Sequence, residues 1–256
     1  MNIGIIGYGN VGKHLTKAIA ETQDHVVTVF NRSPIKAEDR LENIHYAKDL
    51  SELGDSDLAI LSIKDDAIIE ILERTENLFS PQAIICHCSG SISSEVMAPY
   101  FQRYAVLYPL QTFSKNKEIN YHSIPFFVTS ADGETEELLT QLASSISSKV
   151  SSISDEQRMS MHIAAVFACN YVNAIYAISH KLCKDFDIPF DHLIPLIRET
   201  AHKVETLPPS EAQTGPAIRR DWDIVYKHED FLNEYNIPIA KVYREMADYI
   251  TKHMKG

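Results

Sequence analysis

The chain has 256 residues, 45% hydrophobic and 23% charged, with a formal net charge of −11. That length and apolar content can bury one large core or two modest ones. The acidic balance argues against nucleic acid or an anionic membrane as a general partner, yet leaves room for a local basic pocket around one anionic cofactor.

The apolar run Met1-Asn2-Ile3-Gly4-Ile5-Ile6 reads as a buried strand, and Val11, Leu15, Ala18 and Ile19 fall at helical spacing. Between them lie Gly7, Tyr8, Gly9, Asn10, Val11 and Gly12. GxGxxG is weak alone, but between a strand and a helix start it is a dinucleotide-binding fingerprint. The first glycine allows the tight turn, the second lets backbone approach the pyrophosphate, and the third lets helix and strand pack closely. The phosphates would then sit on the helix N–H groups and the positive end of its dipole.

The next β-rich run, Val26–Phe30, is followed by Asn31, Arg32 and Ser33. An NAD site usually has Asp or Glu here for the ribose 2′-hydroxyl. An amide, a guanidinium and a hydroxyl suit a 2′-phosphate, since arginine can make two parallel charge-assisted bonds to it. The expected cofactor is NADP. Ser33-Pro34 also reads as a helix N-cap followed by proline at the first helical position.

Strand and helix then alternate. Residues 44–46 form a short strand, and Asp49 with Glu52 a capping-box variant. A buried strand over 57–63 ends near Ser62, Ile63 and Lys64, and Asp65 or Asp66 caps the next helix. Strands follow at 83–86, 104–107 and 125–129, then a helix over 134–147. This order implies parallel pairing with helices on both faces. Cys86 and Cys88 fall on one strand face and His87 on the other, which disfavours a metal site. With no signal-peptide pattern and no uninterrupted apolar run of roughly 18 to 20 residues, reduced thiols and a cytoplasmic location are expected.

A serine-rich stretch near residue 150 marks an interdomain joint. Ser154 and Gln157 form a capping box, and apolar positions three and four apart from Ile163 to Leu182 mark a long helix. Three further helices, over 191–205, 223–235 and 238–253, complete an all-helical second half. The expected fold class is α/β: residues 1–153 form a Rossmann domain with a doubly wound, mostly parallel sheet, and residues 154–256 a helical substrate and dimerisation domain. Phe167, Tyr171, Ile175, Tyr176 and Ile178 surround much of the long helix, so a homodimer through this domain is expected.

Several segments resemble the 6-phosphogluconate dehydrogenase-like superfamily, which includes ketopantoate and pyrroline-5-carboxylate reductases. They are His87-Cys88-Ser89-Gly90, residues 108–113 (YPLQTF), residues 162–170 (HIAAVFACN) and residues 214–221 (TGPAIRRD). The closer resemblance is to bacterial proteins named as NADP oxidoreductases, whose helical domain has no assigned function, and it covers nearly the whole chain. That group usually has His where this chain has Tyr108, and Gly where it has Arg220. The β-hydroxyacid dehydrogenases carry Lys at the position of Val166, one turn before the residue that resembles Asn170.

Valine cannot donate a proton, so other groups must serve any reduction. The carboxyl ends of the strands offer Ser62, Ile63 and Lys64 to the cofactor, with His87 and Ser89 beside the nicotinamide. His87 is the candidate general acid, Ser89 a donor to a substrate oxygen, and Asn170 a third catalytic group covering the interdomain cleft. His162, sharing a helix face with Asn170, and Arg219 are candidate substrate contacts. The bland alternatives are a packing histidine at 162, a crossing-point asparagine at 170, and helix caps formed by His87 and Ser89 and by Asp221. Three functions fit: an NADP-dependent oxidoreductase moving hydride to or from a small C=O or C=N compound, an NADP-binding sensor without chemistry, or a deazaflavin-dependent NADP reductase.

Overall fold

The computed structural model describes residues 1–114 and 117–254. Eight strands form one sheet: β1 (Asn2–Ile6), β2 (Val26–Phe30), β3 (His45–Ala47), β4 (Leu58–Leu61), β5 (Ile84–His87), β6 (Tyr104–Pro109), β7 (Phe126–Thr129) and β8 (Val150–Ser152). Their order is β3-β2-β1-β4-β5-β6-β7-β8. Every pair is parallel except β6 with β7, where Tyr108 lies opposite Phe127. The edge pair β7 and β8 is parallel within itself but runs against the other six strands.

The inner strands are apolar on both faces because both faces are covered. Ile3, Ile5, Leu58, Ile60, Ile84 and Cys86 join the layer containing Leu15 and Ile19 of α1 (Asn10–Glu21) and Leu139 and Leu142 of α3 (Gly133–Ile146). Ile6, Ala59, Leu61, Ile85 and Val106 join the opposite layer with Ile68 and Leu72 of α2 (Ile68–Thr75). Leu15 and Ile19 are almost fully buried, each contributing about 1.5–3 kcal/mol.

Three local expectations change. No helix starts at Pro34; a 3₁₀ turn, Ala37–Asp39, follows instead, so the N-cap reading of Ser33 falls away. Neither Asp65 nor Asp66 caps α2, because that stretch is itself a 3₁₀ turn whose entry residue is Lys64. The Asp49–Glu52 capping box forms, but on a 3₁₀ turn, Leu50–Leu53.

The remaining helices are α4 (Asp155–Ala165), α5 (Val172–Asp185), α6 (Ile194–Lys203), α7 (Pro209–Ala212), α8 (Trp222–Tyr235) and α9 (Ile237–His253). Ser154 and Gln157 make both bonds of the capping box at the start of α4. A π-helical turn, Val166–Tyr171, joins α4 to α5. The run Asp155–Asp185 spans 31 residues with a mean hydropathy of 1.4 in its most apolar stretch, so by length and composition it could cross a membrane.

The chain divides into two compact units, residues 1–170 and 171–256. The division falls 17 residues later than the expected 153/154 boundary. The reason is local: side chains of α4 bond to the sheet and to the segment after β5, so α4 belongs with the first unit. In the second unit, α8 and α9 pack through Val225 and Ala247, with Trp222, Tyr243 and Ile250 around them.

Candidate active site

The three fingerprint glycines occupy three different environments. Gly7 has φ +102°, and a Cβ there would meet the Ser62 carbonyl oxygen at 2.3 Å. A Cβ on Gly12 would meet the Gly7 carbonyl oxygen at 2.1 Å. Around Gly9, a Cβ would meet nothing within 4 Å. The outer two therefore close the turn and pack it, while the middle one faces open space where a pyrophosphate can approach the backbone. Gly9 is also the N-cap of α1, with no side-chain cap and no acid in the first turn. Helices α3 and α4, by contrast, have capping side chains and two acids each in their first turns. The first N–H groups of α1 are thus left for an anion.

Asn31 binds protein on both sides. Its Oδ1 accepts the Tyr8 N–H at 2.9 Å, and its Nδ2 donates to the Ser33 carbonyl at 2.7 Å. It thereby ties the glycine turn to the segment after β2. Tyr8 likewise faces inward: its hydroxyl donates to the Asp39 carbonyl at 3.0 Å and lies 3.1 Å from the Tyr46 hydroxyl. Burial first, then Tyr46, holds its pKa above the ordinary phenol range. Asn10 is engaged too, its amide donating to the Phe113 carbonyl at 3.0 Å. Arg32 and Ser33 are exposed, and Arg32 makes no ion pair among the described residues. No carboxylate ends β2, and the nearby Asp39 is paired with Lys13 at 3.1 Å. This rim fits a 2′-phosphate.

After β4, Ile63 packs against Gly7, while Ser62 is half-buried and Lys64 exposed. After β5, the sequence expectation for His87 gives way to a different geometry. His87 is fully buried; its Nδ1 accepts the Ser89 N–H at 3.2 Å, which leaves the proton on Nε2, 3.4 Å from the Ser93 carbonyl. Desolvation dominates and lowers its pKa to about 4. Hydrogen-bonded on both sides and held toward its neutral form by burial, the ring orders the loop in this geometry. Ser89 Oγ accepts from the N–H groups of Ser91 and Ile92 at 3.1 and 3.0 Å, so it caps that turn and keeps its own proton to donate.

The same loop is tied to α4 by two residues that sequence reasoning missed. Asp155 accepts from the Ser93 hydroxyl at 2.6 Å and from the Ser94 N–H at 3.0 Å. Burial pushes its carboxyl upward, but the bonds from Ser93, Ser94 and Arg158 hold it below the usual carboxylate range. Arg158, only 1% exposed, bonds Asp155 and the Thr129 hydroxyl at 2.7 Å each, and also the Ile92 carbonyl. One turn further on, His162 Nδ1 lies 2.9 Å from the Tyr108 hydroxyl and directly against Gly90. Tyr108, already notable as a departure from the family pattern, was the available signal. Arg158 gave none, since burial of an arginine is not legible from its spacing.

Asn170 is exposed in the π turn, and its side chain makes no hydrogen bond among the described residues. Eight residues exceed two α-turns, about 7.2 residues, and the wider i→i+5 turn absorbs that excess, so His162 and Asn170 share a face. Val166 opens the same turn. Arg219 lies exposed in the second unit, and Asp221 starts α8 without a side-chain cap.

Comparison with known proteins places this geometry in a family. Residues 1–112 match a Rossmann-like domain, and residues 124–250 match a domain of unknown function, DUF2520. A putative NADP oxidoreductase from Bacteroides fragilis is 36% identical over 98% of both chains, with a TM-score of 0.90. The chain belongs to this Rossmann–DUF2520 family. A Thermotoga maritima protein is 22% identical over 96% of this chain and 98% of its own, with a TM-score of 0.70. An imine reductase from Myxococcus stipitatus, in complex with NADP⁺, is 15% identical over 100% of this chain and 96% of its own, with a TM-score of 0.73. These two likenesses are of fold. No curated protein matches the chain.

Proposed function

We propose that the chain is an NADP(H)-dependent oxidoreductase that transfers hydride to or from a small C=O or C=N compound. The observation that carries this reading is the pairing of an open Gly9 over uncapped helix N–H groups with Arg32 and Ser33 after a strand, β2, that does not end in a carboxylate. The 36%-identical relative, a putative NADP oxidoreductase, supports it. Gly7, Gly9 and Gly12 would hold the pyrophosphate, and Arg32 and Ser33 the 2′-phosphate. Ser62, Ile63 and Lys64 would line the path toward the nicotinamide, which supplies the hydride when bound. The apolar exposed surface of the helical region supports a homodimer, and the long apolar run in it is read as part of that interface within a soluble, cytoplasmic protein.

Titration with NADPH and NADH tests the cofactor assignment. Arg32→Ala should cost about 1.5–3 kcal/mol, roughly 10- to 150-fold, in NADPH affinity and leave NADH affinity nearly unchanged. Equal wild-type affinities for the two would sink it. Valine at position 166 favours one second reading, an NADP-binding sensor. Tight NADPH binding, with no oxidation across a panel of keto acids, imines and a deazaflavin, would select that reading.

A further inference from the structure

The proposed reduction makes no use of the titratable pair Tyr108 and His162. Tyr108 ends a central strand, almost buried and stacked on Phe127 with ring centroids 6.4 Å apart. Its ring meets that of His162 edge-on at 5.8 Å, and its hydroxyl lies 2.9 Å from His162 Nδ1. Gly90 makes room for this arrangement, since a Cβ there would lie 2.5 Å from Nδ1. Beside the ring, the 89–94 loop is fixed by His87, Ser89 and Asp155 and by Arg158 through the Ile92 carbonyl, so the imidazole rests on an ordered loop. His162 itself is half-buried, and its Nε2 makes no hydrogen bond among the described residues. The pair stands at the carboxyl end of β5 and β6, the edge where doubly wound sheets bind their ligands.

We propose that His162 is the proton donor of the reaction and Tyr108 its positioning residue. This rests on the oxidoreductase reading above. In the charged ring, Nδ1–H donates to the Tyr108 hydroxyl oxygen and Nε2–H faces the substrate. As the substrate carbon gains a hydride from the dihydronicotinamide, its C=O or C=N π pair takes the Nε2 proton. A C–H bond and an O–H or N–H bond form, the cofactor is oxidised by two electrons, and the imidazole is left neutral until solvent returns a proton. This supplies the donor that Val166 cannot.

The test compares two acceptors in the full-length chain with NADPH: 3,4-dihydroisoquinoline, whose nitrogen must gain a proton, and its N-methyl iminium salt, which accepts hydride without one. His162→Gln should slow the first by about 100- to 1,000-fold in kcat while sparing the second and NADPH affinity. Tyr108→Phe should slow the first about tenfold, and Gly90→Ala should behave like His162→Gln by displacing the ring. In the cofactor-free protein, ¹⁵N resonances of the His162 ring should show a hydrogen-bonded Nδ1, and Tyr108→Phe should move that resonance alone. Equal losses on both acceptors, or none on either, would overturn the assignment of His162. Failure of the wild type to oxidise NADPH with either acceptor and with the keto-acid, imine and deazaflavin panel above would overturn the oxidoreductase reading itself.

Discussion

The two halves of the molecule treat their apolar side chains in opposite ways. Among the described residues, three large apolar side chains are exposed in residues 1–154, against eighteen from residue 155 onward. The sheet buries its strands between two helical layers and needs nothing further. The helical region buries only six apolar residues, three of them alanine, while Leu196 is 62% exposed and Phe167 63% exposed. Ile175, Tyr176, Leu193, Leu196 and Ile197 even line an apolar groove of about 210 Å³. A surface of that character on a folded chain marks an interaction site, and in the proposed homodimer a second copy presenting the same face would complete it by two-fold symmetry.

The largest expected effect strikes at that contrast. Wild-type protein at micromolar concentration should scatter light with twice the 28.9 kDa chain mass. In a two-fold dimer Leu196→Asp acts twice, removing about 3–6 kcal/mol of burial and weakening association by more than roughly 100-fold. A wild-type mass of one chain would break the comparison.

Acid should act on the self-sufficient half. Folded His87 stays neutral down to about pH 4, whereas the unfolded ring takes a proton near 6.5. Between those values the unfolded chain binds more protons, so stability is present above pH 6.5 and falls on acidification, by about 3 kcal/mol in all. Denaturant midpoints at pH 7 and 4.5 should show this slope, and His87→Asn should flatten it. An unchanged slope would remove His87 as its source.

The smallest effect separates two glycines. Gly12→Ala should cost about 1–3 kcal/mol of stability because its Cβ meets backbone. Gly9→Ala should keep stability within about 0.5 kcal/mol while weakening NADPH roughly tenfold, since its methyl enters open space. Identical profiles for the two variants would contradict the division of labour within the fingerprint.

What was legible followed local rules. The fingerprint, Val26–Phe30 and the Ser154 capping box appear where spacing and residue type placed them, because turns, caps and buried strands are decided by near neighbours. The catalytic reading of His87 failed to anticipate its desolvation, which depends on residues far along the chain. Asn31 was read by its place after β2, although its two bonds decide what it does. Arg158 was invisible for the same reason: its partners are Thr129, Ile92 and Asp155, and only the first turn of α4 is nearby in sequence.

The Asn31 clamp has a consequence for redesign. Converting such a pocket to accept NADH suggests installing an acid at the end of β2, and position 31 looks like the natural choice. A carboxylate there could still accept the Tyr8 N–H, but it would turn an oxygen toward the Ser33 carbonyl where an amide now donates. Two acceptors would face each other between the glycine turn and the rim, so the substitution that invites a ribose would loosen the proposed seat of the pyrophosphate. An engineer should place the acid at position 32 and leave the amide alone.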